Sequence, residues 1–384
     1  MKMEYIALKD VCKINMGQSP SSSSYNENED GIPFFQGNAD FGERYPVARV
    51  WCNNPIKVAN PGDILLSVRA PIGALNYAKE NCCIGRGLAA LTPNRDKVLI
   101  EYVYWVLKSK NTELNSKGTG STFKAISRKV LEETMIPDID LERQQRCVEI
   151  LEKLYRVIQM QKKKYRCLDE LVRGRFVELF GNPVKNEKNW ETFKLRDCLK
   201  RIDSGKSFTC DVRARTGERP AILKLSAITY GDYRAEENKA LLDEKQFIDS
   251  AEIQSGDLLF TRKNTPELVG MAAYVYHTPA HLMMPDLIFR LVPNERMTAI
   301  FLWQLINNRD FRPVIQSIAV GSAKSMSNIS KERLGNVSVI CPPIDEQTRL
   351  NEMVHQINKS KLIVQKELDE TQLLFDSLMQ EYFG

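Results

Sequence analysis

One long stretch of this 384-residue chain decides its fold: residues 141–181, LERQQRCVEILEKLYRVIQMQKKKYRCLDELVRGRFVELFG. It contains no proline, and its apolar side chains recur in alternating steps of four and three residues, the spacing of a coiled-coil seam. The same spacing also places the polar Gln161 and Arg175 in the seam. The stretch therefore predicts one amphipathic helix packed along a partner. Its main seam positions are Leu151, Leu154, Ile158, Tyr165, Leu168 and Val172.

Residues 344–384 repeat this pattern in the same register, 203 positions further along, so that Val354 corresponds to Leu151. The two stretches also end alike, in Phe180-Gly181 and in Phe383-Gly384. A long helix that occurs twice predicts an internal repeat of the whole chain. The seam positions of the second copy are Val354, Ile357, Val364, Leu368, Phe375 and Leu378.

The two predicted helices carry opposite charge. Residues 141–181 contain ten Lys and Arg against six Asp and Glu, whereas residues 344–384 contain four against eight. Matching seams with opposite charge favour pairing of the two helices with each other. The alternative is that each helix is solvated and pairs with a different protein.

The segments before each helix repeat the same order of short strands, turns and polar loops. Gly17-Gln18-Ser19 corresponds to Gly205-Lys206-Ser207, and the strand after Gly62 corresponds to the strand after Gly256. We therefore predict an α+β fold with an internal pseudo-two-fold repeat, in which two mixed α/β domains are separated by two long helices paired as an antiparallel coiled coil. The predicted boundaries are 1–140 and 182–343 for the domains, and 141–181 and 344–384 for the helices.

Composition and motifs argue against several classes of protein. No apolar run reaches the roughly 18 residues of a membrane span, and no apolar signal segment follows the first methionine. Nine cysteines without a C-x-x-C pair favour reduced thiols in a cytoplasm over disulfides or zinc. A phosphate-binding loop is missing, and Pro279 lies between His277 and His281, which argues against a metal-binding helix face. The sequence predicts no catalytic centre, metal or bound cofactor.

The whole chain resembles the specificity (S) subunit of type I restriction–modification systems. The resemblance rests on the duplicated order and on the helix starts, where Gln144 and Gln347 each follow a proline-containing segment. It also rests on residues 175–183, RFVELFGNP, at the end of the first helix. No single motif is specific, but the duplicated order is.

This resemblance implies a function for the protein, a DNA target and a set of partner subunits. Residues 1–140 and 182–343 would be target recognition domains, each reading one half of a bipartite sequence in double-stranded DNA. The helices would fix the spacing of the half-sites and dock two methyltransferase (modification) subunits. In such systems the modification subunits hold S-adenosylmethionine, and the restriction subunits use ATP and magnesium, so this chain would be a non-catalytic subunit.

Basic and amide residues on the repeated polar loops are the candidates for DNA contact, because such side chains bind phosphates and base edges. Arg69 and Arg262 are predicted to follow equivalent strands, where a guanidinium could bind guanine. The alternative for each is a solvated loop residue. The candidates are Gln18, Ser19, Gln36, Asn38, Arg69, Arg86, Lys117, Lys124, Lys206, Ser207, Lys224, Arg262, Lys263, Asn264, Lys324 and Ser325.

Two other classes of function remain open from the sequence. A protein–protein adaptor would use the paired helices as its functional surface and would show no sequence-dependent DNA affinity. A nuclease or methylase with an unrecognised site would cleave or methylate DNA as an isolated chain. The mild net charge of +5 further predicts weak DNA binding by the chain alone.

Overall fold

A computed structural model of the chain describes residues 4–120, 124–321 and 326–384. The chain forms two compact units. Unit 1 comprises Met1–Lys162 with Lys366–Gly384, and unit 2 comprises Lys163–Gln365. Each unit therefore contains one of the two mixed domains together with about half of each long helix.

Unit 1 is built from eleven short strands and several helices among its described residues. In chain order these are β1 Tyr5–Ala7, α1 Leu8–Val11, β2 Cys12–Met16, β3 Tyr25–Asn26, β4 Ile32–Phe35, β5 Trp51–Cys52, β6 Val58–Ala59, β7 Ile64–Ser67, β8 Leu75–Tyr77, β9 Cys82–Ile84, β10 Leu88–Pro93, α2 Ile100–Ser109, α3 Asn111–Ser116, α4 Arg128–Glu132 and β11 Met135–Pro137. The long helix α5 Leu141–Phe180 follows, and its residues up to Lys162 belong to this unit.

The strands of unit 1 form one antiparallel sheet of order β2-β10-β7-β8 and a second sheet of order β3-β5-β4-β9-β6. In the second sheet, β4 and β9 run parallel. A short ladder between β1 and β11 brings the two ends of the domain together. The buried α2 lies on the first sheet, and its Trp105 is fully enclosed in the core.

Unit 2 repeats this order. After α5 come β12 Thr192–Lys194, β13 Leu199–Ser204, β14 Ala221–Leu223, β15 Asn238–Ala240, β16 Leu258–Thr261, β17 Lys263–Asn264, β18 Ala272–Tyr274, β19 Leu282–Met283, β20 Ile288–Pro293, α6 Ala299–Asn307, α7 Arg312–Ser317, β21 Ser327–Asn328, α8 Lys331–Gly335, β22 Ser338–Ile340 and the long helix α9 Ile344–Phe383.

The four-stranded sheet and the terminal ladder of unit 2 match those of unit 1, whereas its second sheet has three strands, in the order β15-β14-β19, and β17 pairs separately with β21. The main antiparallel sheet has the order β13-β20-β16-β18, and β12 pairs with β22 as β1 pairs with β11. The parallel pair of β4 and β9 recurs as β14 and β19. The chain is thus a mixed helix-and-sheet protein with two related domains. Within the described ranges, no helix combines the length and the apolar content needed to cross a membrane.

All twelve predicted seam residues are buried or half-buried. In unit 1, Leu151 and Ile158 of α5 share a core with Phe375 of α9. In unit 2, Val172 of α5 shares a core with Val354 of α9. Each unit therefore closes its core with one segment of each long helix.

The seam departs from the predicted spacing near the end of α5. Arg175 is exposed, and its guanidinium lies 2.6 Å from the Glu178 carboxylate, whereas the next residue, Phe176, is buried. An α-helix turns every 3.6 residues and so drifts from a 3.5-residue repeat. The prediction of Arg175 as a seam residue is therefore wrong, and Phe176 takes that position.

The long helices end in the same way in the two units. The ring of Phe180 lies 4.9 Å from that of Phe301 in α6, and the ring of Phe383 lies 5.6 Å from that of Tyr102 in α2. Gly181 follows with φ of 74°, a left-handed conformation that glycine adopts without strain and that commonly ends a helix. The repeated Phe-Gly pair is therefore a helix terminus anchored in a core.

A buried glutamine fixes the start of each long helix to its own domain. Gln144 accepts a hydrogen bond from the N–H of Leu99 at 2.9 Å and donates to the carbonyls of Lys97 and Ile139. Gln347 makes the same set of bonds, beginning with the N–H of Thr298 at 2.8 Å. Both side chains are at most 1% exposed, so the repeated glutamine has a structural role within each unit.

Replacing Gln144 with alanine should lower the free energy of unfolding of unit 1 by about 2 kcal/mol, because the buried N–H of Leu99 loses its acceptor. Urea unfolding combined with peptide-resolved hydrogen exchange measures the loss and locates it. The exposed neighbour Gln145 is the matched control, with an expected change within about 0.5 kcal/mol for Gln145→Ala. Equal effects of the two substitutions would contradict the anchoring role.

An arginine enclosed by aromatic rings joins α2, α5 and the loop after β4 in unit 1. The guanidinium carbon of Arg44 lies 4.5 Å from the ring centroid of Tyr155 and 5.0 Å from that of Trp105. Both carboxylate oxygens of Glu152 accept from Arg44, at 2.7 and 2.8 Å, and one also accepts from Trp105 Nε1. Glu152 therefore pairs the charge of Arg44 and accepts the indole N–H of Trp105 within unit 1.

Lys108 shares these rings and should make stability depend on pH. Burial, and then the charge of Arg44, lower the pKa of Lys108 to about 8, against about 10.4 in an unfolded chain. The folded state therefore bears the cost of the buried charge fully below pH 8, and this cost fades as pH rises towards 10.4. Lys108→Met should raise the melting temperature at pH 7 and raise it less at pH 10.

The measurement is a pair of thermal melts at the two pH values for the wild type and the variant. Lys153→Met, at an exposed position of α5, is the control and should show no such difference. A stabilisation by Lys108→Met that is the same at pH 7 and pH 10 would contradict the prediction.

Candidate nucleic-acid interface

In unit 1, four predicted DNA-contacting residues meet where strands end. Gln18 follows β2, and its N–H donates to the carbonyl of Ile84 at 3.0 Å. The N–H of Arg86 donates to Ser19 Oγ at 3.3 Å. A Cβ built on Gly87 would lie 2.1 Å from the carbonyl oxygen of Gln36, so only glycine allows this approach. The residues are therefore held close together by main-chain contacts and by the hydroxyl of Ser19.

Two more candidates continue this surface. The N–H of Val68 donates to the carbonyl of Gly87 at 2.9 Å, which places the end of β7 beside the first group. Arg69 comes next and forms a β-bridge with Ala125, and the carbonyl of Lys124 accepts from Ala70. We call this region the strand-end surface of unit 1, formed by Gln18, Ser19, Gln36, Arg69, Arg86 and Lys124.

This surface is positively charged and accessible. Arg69, Arg86 and Lys124 are exposed, and neither guanidinium forms an ion pair with any residue that the structure describes. Lys117 differs, because its ammonium lies 2.5 Å from the carboxylate of Glu113. Asn38 is half-buried in a short 3-10 helix, Asn38–Asp40. The exposed cations and amides can bind phosphates and base edges without first breaking an internal ion pair.

Unit 2 has a corresponding strand-end surface, formed by Lys206, Ser207, Arg262, Lys263 and Asp286. The N–H of Lys206 donates to the carbonyl of Met284 at 3.1 Å, as Gln18 does to Ile84. The hydroxyl of Ser207 is hydrogen-bonded to the Asp286 carboxylate. The ammonium of Lys263 lies 3.8 Å from the same carboxylate. Acceptors and donors thus lie side by side on this surface.

Arg69 and Arg262 both follow equivalent strands, β7 and β16, but they do not occupy equivalent positions. The N–H of Arg262 donates to Leu287 as that of Val68 donates to Gly87, so Arg262 and Val68 are equivalent and Lys263 corresponds to Arg69. The Arg262 guanidinium donates to Asn328 Oδ1 at 3.1 Å and lies 4.9 Å from the Phe289 ring centroid. Arg262 is therefore half-buried and partly engaged within its own domain.

Two further candidates are engaged within their own domain. Asn264 is only 6% exposed, and its amide donates to Thr229 Oγ1, so it lies inside the domain and not on a loop surface. The ammonium of Lys224 lies 3.6 Å from the Glu237 carboxylate. Lys324 and Ser325 lie outside the described residues.

Asp286 is the member of this surface that the sequence analysis missed. Its segment, Met284–Leu287, shares no residue with the corresponding Ile84–Gly87, so the repeat cannot be aligned there by residue identity. The main-chain hydrogen bonds reveal the correspondence. The described part of the chain holds no cluster of three or more His, Cys, Asp or Glu side chains placed to bind a metal ion.

Comparison with known proteins places this chain in a class, the DNA specificity proteins of restriction systems. The family model described as "Type I restriction modification DNA specificity domain" matches residues 1–169 and 187–371, most of the chain in two copies. The chain therefore belongs to the type I restriction modification DNA specificity family, and the resemblance inferred from its sequence is confirmed.

Individual relatives cover smaller parts. A Methanocaldococcus jannaschii protein described as the type I restriction enzyme MjaX specificity subunit is 43% identical over 152 residues, which are 40% of this chain and 36% of that protein. The MjaIX specificity subunit of the same organism is 28% identical over 228 residues, 52% of this chain and 51% of that protein. The matches therefore span about half or less of these relatives' lengths.

A solved structure shares the fold across the chain. The crystal structure of the type I restriction–modification S subunit from M. genitalium has a TM-score of 0.63 and covers 100% of this chain and 97% of its own. At 14% identity this similarity shows the fold alone.

Proposed function

We propose that the chain is the sequence-specific DNA-recognition subunit of a type I restriction–modification complex, in which each unit reads one half of a bipartite target. The observation that carries the proposal is the pair of strand-end surfaces. In both units the same main-chain contacts hold exposed or partly exposed polar and charged side chains at the ends of equivalent strands. Family membership supports this function over a coiled-coil adaptor without DNA recognition.

The residues of these surfaces suit the chemistry of DNA. Cations such as Arg69 and Lys206 attract phosphates and orient the duplex, without themselves specifying sequence. Guanidinium and amide groups such as those of Arg86 and Gln18 can form paired hydrogen bonds with guanine or adenine in the major groove. Because the two surfaces carry different side chains, the two half-sites would differ in sequence.

The long helices would pair as an antiparallel coiled coil, set the spacing of the half-sites and dock two methyltransferase subunits. The shared cores of Leu151 with Phe375 and of Val172 with Val354 support the pairing. Ile150, Val157 and Leu171 of α5 support docking, because they are 40%, 41% and 49% exposed at positions related by multiples of seven. Apolar side chains repeated along an exposed helix face are typical of a protein interface.

The chemistry would then reside in partner subunits of a cytoplasmic complex. The methyltransferase subunits would hold S-adenosylmethionine, and restriction subunits, where they join, would use ATP and magnesium. The contribution of this chain would be recognition and not catalysis.

Selection from a duplex pool with two randomised blocks tests the function. The full chain, alone and co-purified with methyltransferase subunits, is expected to enrich two short sequences at a fixed separation. Tight binding would require the methyltransferase subunits, because the net charge is only +5. Selection of no sequence in either form would overturn the proposal, and methylation by the chain alone would favour an enzyme.

Lys206→Ala should weaken binding to target and scrambled DNA by the same factor and reduce the slope of log affinity against log salt by about 1, as expected for loss of one phosphate contact. Lys206 is exposed just after β13. Lys200, exposed near the opposite end of the same strand, provides the control, and Lys200→Ala should change neither quantity. A loss confined to target DNA would instead indicate a base contact.

A further inference from the structure

Arg86 in unit 1 and Asp286 in unit 2 occupy the same position of the repeat. Two pairs of main-chain hydrogen bonds establish this on either side of the position. Before it, Ile84 and Met284 accept from the residues that follow β2 and β13. After it, Leu88 donates to the carbonyl of Gly85 at 3.0 Å, and Ile288 donates to that of Pro285 at 3.2 Å.

A repeated serine marks the same position independently. Ser19 Oγ accepts from the N–H of Arg86 at 3.3 Å, and Ser207 Oγ accepts from the N–H of Asp286 at 3.2 Å. The backbone is thus held alike in both units, and what changes is the side chain. One unit presents a guanidinium, which only donates hydrogen bonds, and the other presents a carboxylate, which only accepts them.

A carboxylate on a surface that binds DNA is unfavourable unless it is compensated, because the DNA phosphates repel it. In unit 2 the ammonium of Lys263 lies 3.8 Å from Asp286 and offsets part of its charge. The hydroxyl of Ser207 also bonds the carboxylate and so fixes its orientation. An oriented, partly neutralised acceptor is suited to a base-edge amino group and not to a phosphate.

Base chemistry distinguishes the possible partners. A guanidinium pairs with the two acceptors of guanine, O6 and N7, whereas a carboxylate accepts from the N4 amino group of cytosine. Adenine also offers an amino group in the major groove, but its N7 acceptor lies beside it and would face the carboxylate. Cytosine therefore suits Asp286 better than adenine does.

We propose that this position determines base specificity in both half-sites. Arg86 donates hydrogen bonds and selects a guanine, whereas Asp286 accepts a hydrogen bond and selects a cytosine. The inference rests on the proposed function. It adds to that function a named residue in each unit and the base that each would select.

The test compares the sequences selected by the full chain, co-purified with methyltransferase subunits, for the wild type, Arg86→Gln and Asp286→Asn. Asparagine and glutamine pair best with adenine N6 and N7. Asp286→Asn should therefore change one selected base from cytosine to adenine in one half-site only. Arg86→Gln should change one base from guanine to adenine in the other half-site. Affinity for the original base should fall between about 5- and 150-fold.

Matched controls lie at the other ends of the same strands. Arg95 follows β10 and Glu295 follows β20, about 20 Å along each strand from Arg86 and Asp286. Both are exposed, and Arg95→Gln and Glu295→Gln should leave every selected base unchanged. All four variants should melt within a few degrees of the wild type, because no buried group is removed.

The outcomes separate the inference from the function on which it rests. A wild type that selects a bipartite sequence, with unchanged bases in both Arg86→Gln and Asp286→Asn, would overturn the inference and leave the function standing. An adenine selected by wild-type Asp286 would overturn the cytosine assignment. A wild type that selects no sequence would overturn both the function and the inference.

Discussion

Removal of seven residues from both long helices is expected to shorten the preferred DNA spacer by about 3 base pairs. The deletion takes residues 159–165 from α5 and 362–368 from α9, which occupy the same places in the repeat. Each helix becomes about 10 Å shorter, which corresponds to about 3 base pairs at 3.4 Å each. A deletion of seven residues preserves the seam register, so both helices keep their apolar faces.

Binding to the original target should fall by about 100- to 10,000-fold, because the two units can no longer engage both half-sites at once. The measurement is affinity across a series of spacers from five base pairs shorter to five longer. The series is needed because 3 base pairs also rotate one half-site by roughly a third of a DNA turn.

A deletion in α5 alone serves as the control. It leaves α9 seven residues longer than its proposed partner and should reduce thermal stability without defining a new spacer. If the double deletion folds and keeps the original spacer, the helices do not set the distance between the half-sites.

Glu152→Ala is expected to lower the free energy of unfolding of unit 1 by about 3 kcal/mol. The substitution leaves the Arg44 guanidinium among the aromatic rings without its counter-charge, and it removes the acceptor of Trp105 Nε1. Loss of one partner of a buried ion pair costs about 3–5 kcal/mol. The lower end applies here, because the two side chains are 19% and 22% exposed.

Two further variants distinguish the causes. Glu152→Gln keeps an acceptor for Trp105 and should cost less than Glu152→Ala. The double variant Arg44→Met with Glu152→Leu removes both charges and should recover much of the loss, since well-packed apolar pairs commonly replace buried ion pairs without large cost. Urea unfolding with hydrogen exchange in unit 1 gives each value. A double variant less stable than Glu152→Ala would contradict charge isolation as the cause.

The repeat and the long helices could be predicted from the sequence because both produce a periodic pattern of residues. Residues 141–181 and 344–384 correspond to α5 and α9 almost residue for residue, since heptad spacing and the terminal glycine are local signals. The prediction that Arg175 lies in the seam is wrong because a periodic pattern gives the average direction of the buried face and not the burial of each residue. Its neighbour Phe176 is buried against Phe301, a contact 125 residues away that no local pattern contains.

The sequence predicts which loops form the candidate site but not every residue of it, because exact equivalences between the two domains depend on contacts between distant residues. Loop residues such as Gln18 and Lys206 could be paired because a glycine precedes both. The sequence places Arg69 and Arg262 beyond equivalent strands but does not show that Lys263 is the residue equivalent to Arg69, because an offset of one residue leaves the chemical character of the loop unchanged. Asp286 could not be predicted as a member of the surface, because a carboxylate is not among the cations and amides expected to contact DNA, and its pairing with Lys263 leaves no local pattern in the sequence.

The main-chain hydrogen bonds beneath the two strand-end surfaces also bear on how such a protein can evolve. The bonds from Gln18 to Ile84, from Val68 to Gly87 and their counterparts in unit 2 use no side-chain atoms. Apart from Ser19, Ser207 and Gly87, whose side chains or small size the loops require, folding of these loops is therefore largely separate from the identity of the side chains they display. New specificities can arise by single substitutions at little cost in stability, and a domain can change what it reads while its architecture stays the same.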